Sequence, residues 1–153
     1  MGFYHHYIFP RVLDLAMASP QLRRPRDRAL APAQGRILEI GFGTGRNLTH
    51  YPEHVRRIEA IDPDLDLDRL SLPRIAHASI EVDFHHVDAE HLPFEDGRFD
   101  TVVSTFTLCS IPDVVHALAR AGLFRLCVPA ALGGAEVDPI TTIDAIEAVA
   151  TAD

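Results

Sequence analysis

Residues 37–47 read ILEIGFGTGRN and decide the fold of this chain. The mainly apolar run Ile37–Ile40 has the length of a buried strand and leads into a glycine-rich turn with the pattern ExGxGxG. Glycine lets the chain turn sharply with positive φ, and the missing side chains admit a ligand close to the backbone. Residues from Asn47 to Tyr51 predict the start of a helix. The stretch therefore predicts strand, turn and helix, the first part of a βαβ unit.

Further short apolar runs predict three more strands: Arg57–Ile61, Ile80–Val87 and Asp100–Ser104. Residues 65–78 are polar, weakly periodic and interrupted by Pro73, yet they predict the helix between the second and third strands. Such βαβ units build a parallel sheet with right-handed crossovers. The sequence therefore predicts an α/β fold with a Rossmann-like parallel sheet.

The segment before the first strand predicts a leading helix between Phe9 and Ala18. Its apolar residues recur at helical spacing: Ile8, Val12, Leu15 and Ala16. The following run, 20–28, contains four arginines: Arg23, Arg24, Arg26 and Arg28. Such a run can dock an anionic substrate or a membrane surface, but charge runs are more often solvated. We therefore interpret it as a solvated basic linker.

Two carboxylates follow predicted strands beyond the glycine turn. Asp62 ends the second strand about 20 residues after the glycines, where a carboxylate can accept both ribose hydroxyls of a nucleoside. Asp88 lies just past the third strand. In isolation Asp62 can be a turn former before Pro63, and Asp88 a strand-end aspartate. Their combination with the glycine turn favours nucleoside binding.

Composition excludes several functions. The net charge of -8 argues against nucleic-acid binding, which needs clustered positive charge. The two cysteines, Cys109 and Cys127, are too few for a disulfide framework, and residues 1–18 supply neither a signal-peptide core nor a membrane span. We expect a soluble cytoplasmic protein with no nucleic-acid partner and no stable membrane insertion. The sequence leaves the oligomeric state open.

Histidines raise a metal hypothesis through His85, His86 and His91. Neighbours on a strand point to opposite faces, so His85 and His86 do not easily share an ion. We predict surface histidines and no metal.

Together these segments resemble the class I S-adenosylmethionine-dependent methyltransferases, especially the small enzymes of the ubiquinone-biosynthesis type. The likeness covers roughly residues 1–119. It rests on residues 37–47, on IEAIDPD at 58–64, on VDAEHLPFEDGRFDTVVSTFTLCSIPD at 87–113, and on GFYHHYIFPRVLDLA at 2–16. The resemblance implies a domain at 1–119 that binds S-adenosyl-L-methionine and methylates a small-molecule or lipid-like acceptor.

The resemblance also implies a cofactor site of eight residues: Glu39, Gly41, Gly43, Gly45, Asp62, Asp88, Ala89 and Thr105. The three glycines would line the methionine moiety, and Glu39 below them would order its ammonium group directly or through water. Asp62 would hold the ribose. Asp88 would accept from the adenine amine while the backbone of Ala89 meets the ring, and Thr105 would lie near the reactive methyl. Methyl transfer can rely on proximity and orientation, so we assign no general base.

The resemblance stops at about Arg120. Residues 120–153 resemble instead the amino-terminal helical region of acyl-CoA dehydrogenases, through a VPxxLGGxExD stretch and a helix ending in ATAD. Methyltransferases of this type continue with a fifth strand and usually two more. We therefore expect a sheet truncated after the fourth strand and a helical tail, as a frameshifted, fused or truncated reading frame would produce.

Two other functions stay open beside the methyltransferase. One is a noncatalytic cofactor-binding remnant or hybrid without turnover. The other is a nicotinamide oxidoreductase, which shares the glycine turn and Asp62. Such an enzyme has no use for the segment Asp88-Ala89 and usually carries GxGxxG, so we favour the methyltransferase.

Overall fold

A four-stranded parallel sheet forms the centre of the computed structural model, which describes residues 8–95 and 97–107. Its strands in chain order are β1 (Ile37–Ile40), β2 (Arg57–Ile61), β3 (Glu81–His85) and β4 (Thr101–Ser104). Three α-helices accompany them: α1 (Phe9–Met17), α2 (Arg23–Leu30) and α3 (Leu65–His77). The Rossmann-like parallel sheet predicted from the sequence is confirmed.

Strand β1 lies inside the sheet and is buried on both faces, which explains its short apolar run. Side chains alternate between the faces of a strand. Ile37 packs in a cluster with Leu30 of α2, whereas Leu38 and Ile40 join Ile61 in a second cluster. Two apolar layers therefore cover the strand that leads into the glycine turn.

The strand order β3-β2-β1-β4 reverses the direction of winding beside β1. The chain first moves outward from β1 to β2 and β3, and then returns to place β4 on the other side of β1. Ile40 pairs with Ile61 of β2 and with Ser104 of β4, so these three strands end at the same edge. In open parallel sheets, ligands bind outside the strand ends at such a switch point.

The connection from β1 to β2 differs from the prediction. Arg46–Thr49 form a short 3-10 helix rather than the start of an α-helix at Asn47. Pro52 has no backbone N–H and disfavours helical geometry at the residue before it, which stops the helix. The predicted second crossover helix is confirmed as α3, with Pro73 inside it.

The prediction of a leading helix is confirmed by α1, but the solvated linker after it is wrong. Pro20–Leu22 form a 3-10 helix and Arg23–Leu30 form α2. The physical reason is a buried helix face, since Leu30 is fully buried in the sheet's core cluster and Arg26 is 4% exposed. Burial of this face outweighs the helix's high charge.

Several sequence-based expectations lie outside the described residues. They are the domain boundary at residue 119 and the dehydrogenase-like tail at 120–153. Among the helices that the structure describes, none has the length and apolar character needed to cross a bilayer.

Replacing Gly41 by alanine tests the packing of the turn. Gly41 has φ +76, and an added Cβ would lie 2.1 Å from the Oγ1 and 2.5 Å from the Cβ of Thr107. Left-handed geometry costs an L residue about 1–2 kcal/mol and overpacking about 1–3 kcal/mol more. We expect Gly41→Ala to lower the free energy of unfolding by roughly 2–5 kcal/mol in urea titration.

Gly97→Ala is the matched control. Gly97 has φ +73, but an added Cβ there meets no atom within 4 Å. The Gly97→Ala variant should lose only the free energy of unfolding that left-handed backbone geometry costs, about 1–2 kcal/mol. Equal losses in the two variants would contradict the close packing of Thr107 against the turn.

Candidate functional site

The glycine turn is fixed to the end of β2 by its backbone. The N–H groups of Gly41 and Phe42 both donate to the carbonyl oxygen of Ile61, at 3.0 and 3.2 Å. Gly41, Gly43 and Gly45 all have positive φ, as the motif predicted. A Cβ built on Gly43 meets no atom within 4 Å, so the middle of the turn faces open space.

Asp62, at the end of β2, binds the turn directly. Its Oδ2 accepts from the backbone N–H of Gly43 at 2.7 Å, and its Oδ1 accepts from that of Asp64 at 2.9 Å. Burial raises the pKa of Asp62, which is 7% exposed. A carboxylate offers about four acceptor positions. Counting only donors from the described part of the chain, two positions remain, which suits the two hydroxyls of a ribose.

Glu39 lies beneath the turn in a buried hydrogen-bond network. Its Oε1 accepts from Asn47 Nδ2 at 2.9 Å, and its Oε2 accepts from Tyr51 Oη at 2.7 Å. Asn47 Nδ2 also donates to Thr105 Oγ1 at 2.8 Å. The network joins β1, the 3-10 helix and the end of β4. Because Glu39 is 1% exposed with both oxygens occupied, its carboxylate positions Asn47 and Tyr51.

The acid–base state of Glu39 follows from this burial. Loss of hydration raises its pKa to about 7, against the lowering effect of the hydrogen bonds from Tyr51 and Asn47. Close to neutral pH the folded protein therefore holds a mixture of the charged and protonated forms of this group.

Asp88 has a different environment, at the surface. Its Oδ1 accepts from the backbone N–H groups of Glu90 and His91, at 2.9 and 2.8 Å, and lies 2.8 Å from His91 Nδ1. The hydrogen bond with His91 lowers the pKa of Asp88. The other oxygen, Oδ2, accepts no hydrogen bond from the residues that the structure describes. Within the described residues, no hydrogen bond or ion pair joins Asp88 to the glycine turn.

The packing of Ala89 shows where the loop that carries Asp88 lies. It is 7% exposed and packs in the cluster that contains Ile40 and Ile61, the last residues of β1 and β2. The loop is therefore anchored at the carboxyl ends of both strands, beside the glycine turn and Asp62.

Asp14 of α1 is a residue that sequence reasoning missed. It accepts from Thr44 Oγ1 at 2.6 Å, from Arg46 Nε and Nη2 at 2.8 Å each, and from Arg74 Nη2 at 3.0 Å. Burial alone would raise its pKa, but the hydrogen bonds from Arg46, Arg74 and Thr44 hold it far below the usual range. One carboxylate thus joins α1, the turn and α3. Only its position as a single acid on an apolar helix could have suggested this from the sequence.

A cluster of ligand-type side chains lies on the sheet and contains one of the three histidines of the metal hypothesis, His85. Ligand atoms of Glu59, Asp83 and His85 lie within 4.8 Å of one another. Arg98 pairs with Glu59 at 2.5 Å and Arg57 pairs with Asp83 at 3.2 Å. Since these arginines balance the acids, we interpret the cluster as a charge network and assign no metal to it.

Comparison with known proteins gives a family match. A family model described as a methyltransferase domain matches residues 38–126. Demethylmenaquinone methyltransferase from Thermus thermophilus is 34% identical over 109 residues, which are 70% of this chain and 49% of that protein. Phosphatidylethanolamine N-methyltransferase from Cereibacter sphaeroides is 33% identical over 104 residues, 63% of this chain and 51% of that protein. The chain spans about half the length of the curated relatives it matches.

The fold also has relatives among solved structures. The YcgJ protein from Bacillus subtilis superimposes with a TM-score of 0.57 at 22% identity, covering 68% of this chain and 45% of that protein. At this identity the likeness concerns the fold.

Glu39→Gln should change the pH dependence of stability. The pKa of Glu39 is about 7 in the folded protein and 4.5 as an ordinary value, so the folded state binds the proton more tightly. The resulting stabilisation of the folded state is about 3 kcal/mol in all. It is fully present below the pKa that Glu39 has in the unfolded chain, and it is lost as pH rises through the pKa that Glu39 has in the folded protein. We expect the stability of Glu39→Gln relative to wild type to rise between about pH 4 and pH 8.

Urea titrations of both proteins across this range measure the difference. Values at the acidic end, where both side chains are neutral, serve as the internal reference. A difference that stays constant with pH would contradict the raised pKa of Glu39.

Proposed function

This chain belongs to the class I methyltransferases, and we propose that it binds S-adenosyl-L-methionine at the glycine turn and methylates a small-molecule or lipid-like acceptor. One observation carries the proposal. The turn, Asp62 and the Asn47–Thr105 pair all lie at the switch-point edge, where β1 separates β2 from β4. Three segments distant in sequence are thereby joined at one edge of the sheet, where parallel sheets of this kind bind ligands.

The residues present fit this cofactor. Gly43 leaves open space above the backbone, where a methionine moiety would pass. Asp62 keeps two acceptor positions for the ribose hydroxyls, and Asp88 keeps one oxygen for the adenine amine. Ala89 is held against Ile40 and Ile61, which would place its backbone beside the ring.

The charge of the site also suits the cofactor. When bound, S-adenosylmethionine supplies an electrophilic methyl group on a positively charged sulfonium. Asp62 and Asp88 would present carboxylates to the cofactor, with Glu39 beneath the turn, and Glu39 orients Asn47 toward Thr105. The contribution of these residues is to bind and align, which can supply much of the rate enhancement of a transfer between two held reactants.

The relatives' names support an acceptor class. One is a demethylmenaquinone methyltransferase and another a phosphatidylethanolamine N-methyltransferase. Both names describe lipid-like acceptors, and we propose the same class here. A noncatalytic remnant is the alternative, and the match to enzymes over most of the chain favours turnover.

Asp62→Asn tests the cofactor site. The amide retains the size of the carboxylate but loses its charge and one acceptor oxygen. Charge-assisted hydrogen bonds contribute roughly 1.5–3 kcal/mol each, so we expect the affinity for S-adenosylmethionine to fall about tenfold or more. Isothermal titration calorimetry measures the change.

Asp83→Asn is the matched control, because Asp83 is also a strand carboxylate but pairs with Arg57 on the sheet. It should bind the cofactor as wild type does. Unchanged binding in Asp62→Asn would contradict the proposed ribose contact.

Methyl transfer can be assayed with radiolabelled S-adenosylmethionine and a panel of quinol, thiol and phospholipid acceptors. We expect label in at least one lipid-like acceptor, and an approximately tenfold lower kcat/KM in Asp62→Asn. Cofactor binding without transfer to any member of the panel would favour the noncatalytic remnant.

A further inference from the structure

A cavity of about 430 Å³ lies beside the glycine turn. It is bounded by the helices α1 and α2, by the 3-10 helix Arg46–Thr49 and by α3. Its size is that of a small-molecule site. Five basic side chains line it: Arg23, Arg26, Arg46, His50 and Arg74. Two of them, Arg23 and Arg26, belong to the arginine-rich run 20–28, whose sequence can dock an anion.

Among the residues that the structure describes, positive groups outnumber negative ones around the cavity. The Asp14 carboxylate is shared by Arg46 and Arg74. His50 pairs with Asp27 at 2.6 Å. Across residues 8–95 and 97–107, no carboxylate forms an ion pair with Arg23 or Arg26. The lining therefore has an unbalanced positive charge.

Arg26 provides a second, independent observation. It is 4% exposed, and its Nε is buried without a hydrogen-bond partner among the described residues. Its Nη1 donates weakly to the carbonyl of Met17 at 3.4 Å, and its guanidinium lies 5.3 Å from the ring centre of Phe106. A buried guanidinium without an anionic partner is costly. Such a group is complementary to an oxyanion, which its planar donors can bind with two hydrogen bonds.

Glu39 does not supply that partner. It attracts Arg26 electrostatically, but its two oxygens are bound by Asn47 and Tyr51. None of the eight residues predicted to bind the cofactor lines the cavity. The cavity is nevertheless adjacent to them, because Arg46 follows Gly45 and the Phe106 ring faces Arg26.

We propose that this cavity binds a carboxylate or phosphate group of the methyl acceptor. The inference rests on the proposed methyltransferase function and narrows its substrate class to acceptors that carry an oxyanion. Arg26 would bind that group inside the cavity, and Arg23 would attract it at the exposed side. The adjoining cofactor site would then receive the nucleophilic end of the same molecule.

Binding of inorganic phosphate to the full chain tests the cavity. Calorimetric titration of wild type should detect one site, and Arg26→Gln should weaken it about tenfold, as expected when a charge-assisted hydrogen-bond pair is lost. Arg23→Gln, at an exposed position where the fold tolerates change, should weaken it about twofold to fivefold.

Arg24→Gln is the matched control, since Arg24 is the exposed neighbour of Arg23 and does not line the cavity. It should bind phosphate as wild type does. Absence of phosphate binding in wild type, or equal weakening in Arg23→Gln and Arg24→Gln, would overturn the proposal. If Arg26→Gln does not fold, the comparison of the two exposed variants, Arg23→Gln and Arg24→Gln, still decides the test.

A second titration distinguishes the acceptor's oxyanion from the cofactor's own carboxylate. Phosphate affinity should be unchanged in saturating S-adenosylmethionine, and Arg26→Gln should retain wild-type cofactor affinity. Displacement of phosphate by the cofactor would assign the cavity to the cofactor's carboxylate and overturn the proposal. Failure of wild type to bind the cofactor would instead defeat the proposed function, while the phosphate titration would still report on the cavity.

The acceptor itself is tested by turnover. Label should enter a phospholipid acceptor in preference to an uncharged quinol, and Arg26→Gln should raise KM for the phospholipid several-fold with little change in kcat. Methylation confined to uncharged acceptors would overturn the assignment.

Discussion

The side-chain amide of Asn47 holds the carboxyl-terminal edge of the sheet together. It donates to Glu39 in β1 and to Thr105 beyond β4, so one group fixes the glycine turn against two strands. A buried polar network is stabilising only when its members are satisfied, and here Tyr51 completes the coordination of Glu39. In open parallel sheets ligands bind at the switch point, and here this network fixes the positions of the segments that meet there.

The features that the sequence predicted correctly depend on patterns within short segments of the chain. Apolar runs with turn signals at their ends predicted the strands, and the ExGxGxG motif predicted the positive φ values of the turn. The contact between Gly43 and Asp62 was implied only by the family resemblance and the spacing of the two segments. Asp14 and Asn47 were missed because their roles depend on partners from distant segments. The linker interpretation was wrong because a high arginine content hid a helix whose other face, at Leu30, is buried.

The site combines two regions of opposite charge within an acidic protein. Carboxylates of Glu39, Asp62 and Asp88 mark the proposed cofactor position, whereas arginines line the neighbouring cavity. A sulfonium cofactor and an anionic acceptor would each meet complementary charge. Such an arrangement orders two reactants by electrostatics before any reacting group is engaged.

The attachment of α1 through Asp14 has a consequence for acid unfolding. Because its pKa is held far below the usual range, this carboxylate is among the last to take up a proton as a solution is acidified. The stabilising contribution of this anchor is fully present above the ordinary pKa of an aspartate and is lost progressively as pH falls from there toward the pKa of the folded state. Acid therefore weakens the attachment of the leading helix to the turn and to α3 well before the native carboxylate itself takes up a proton.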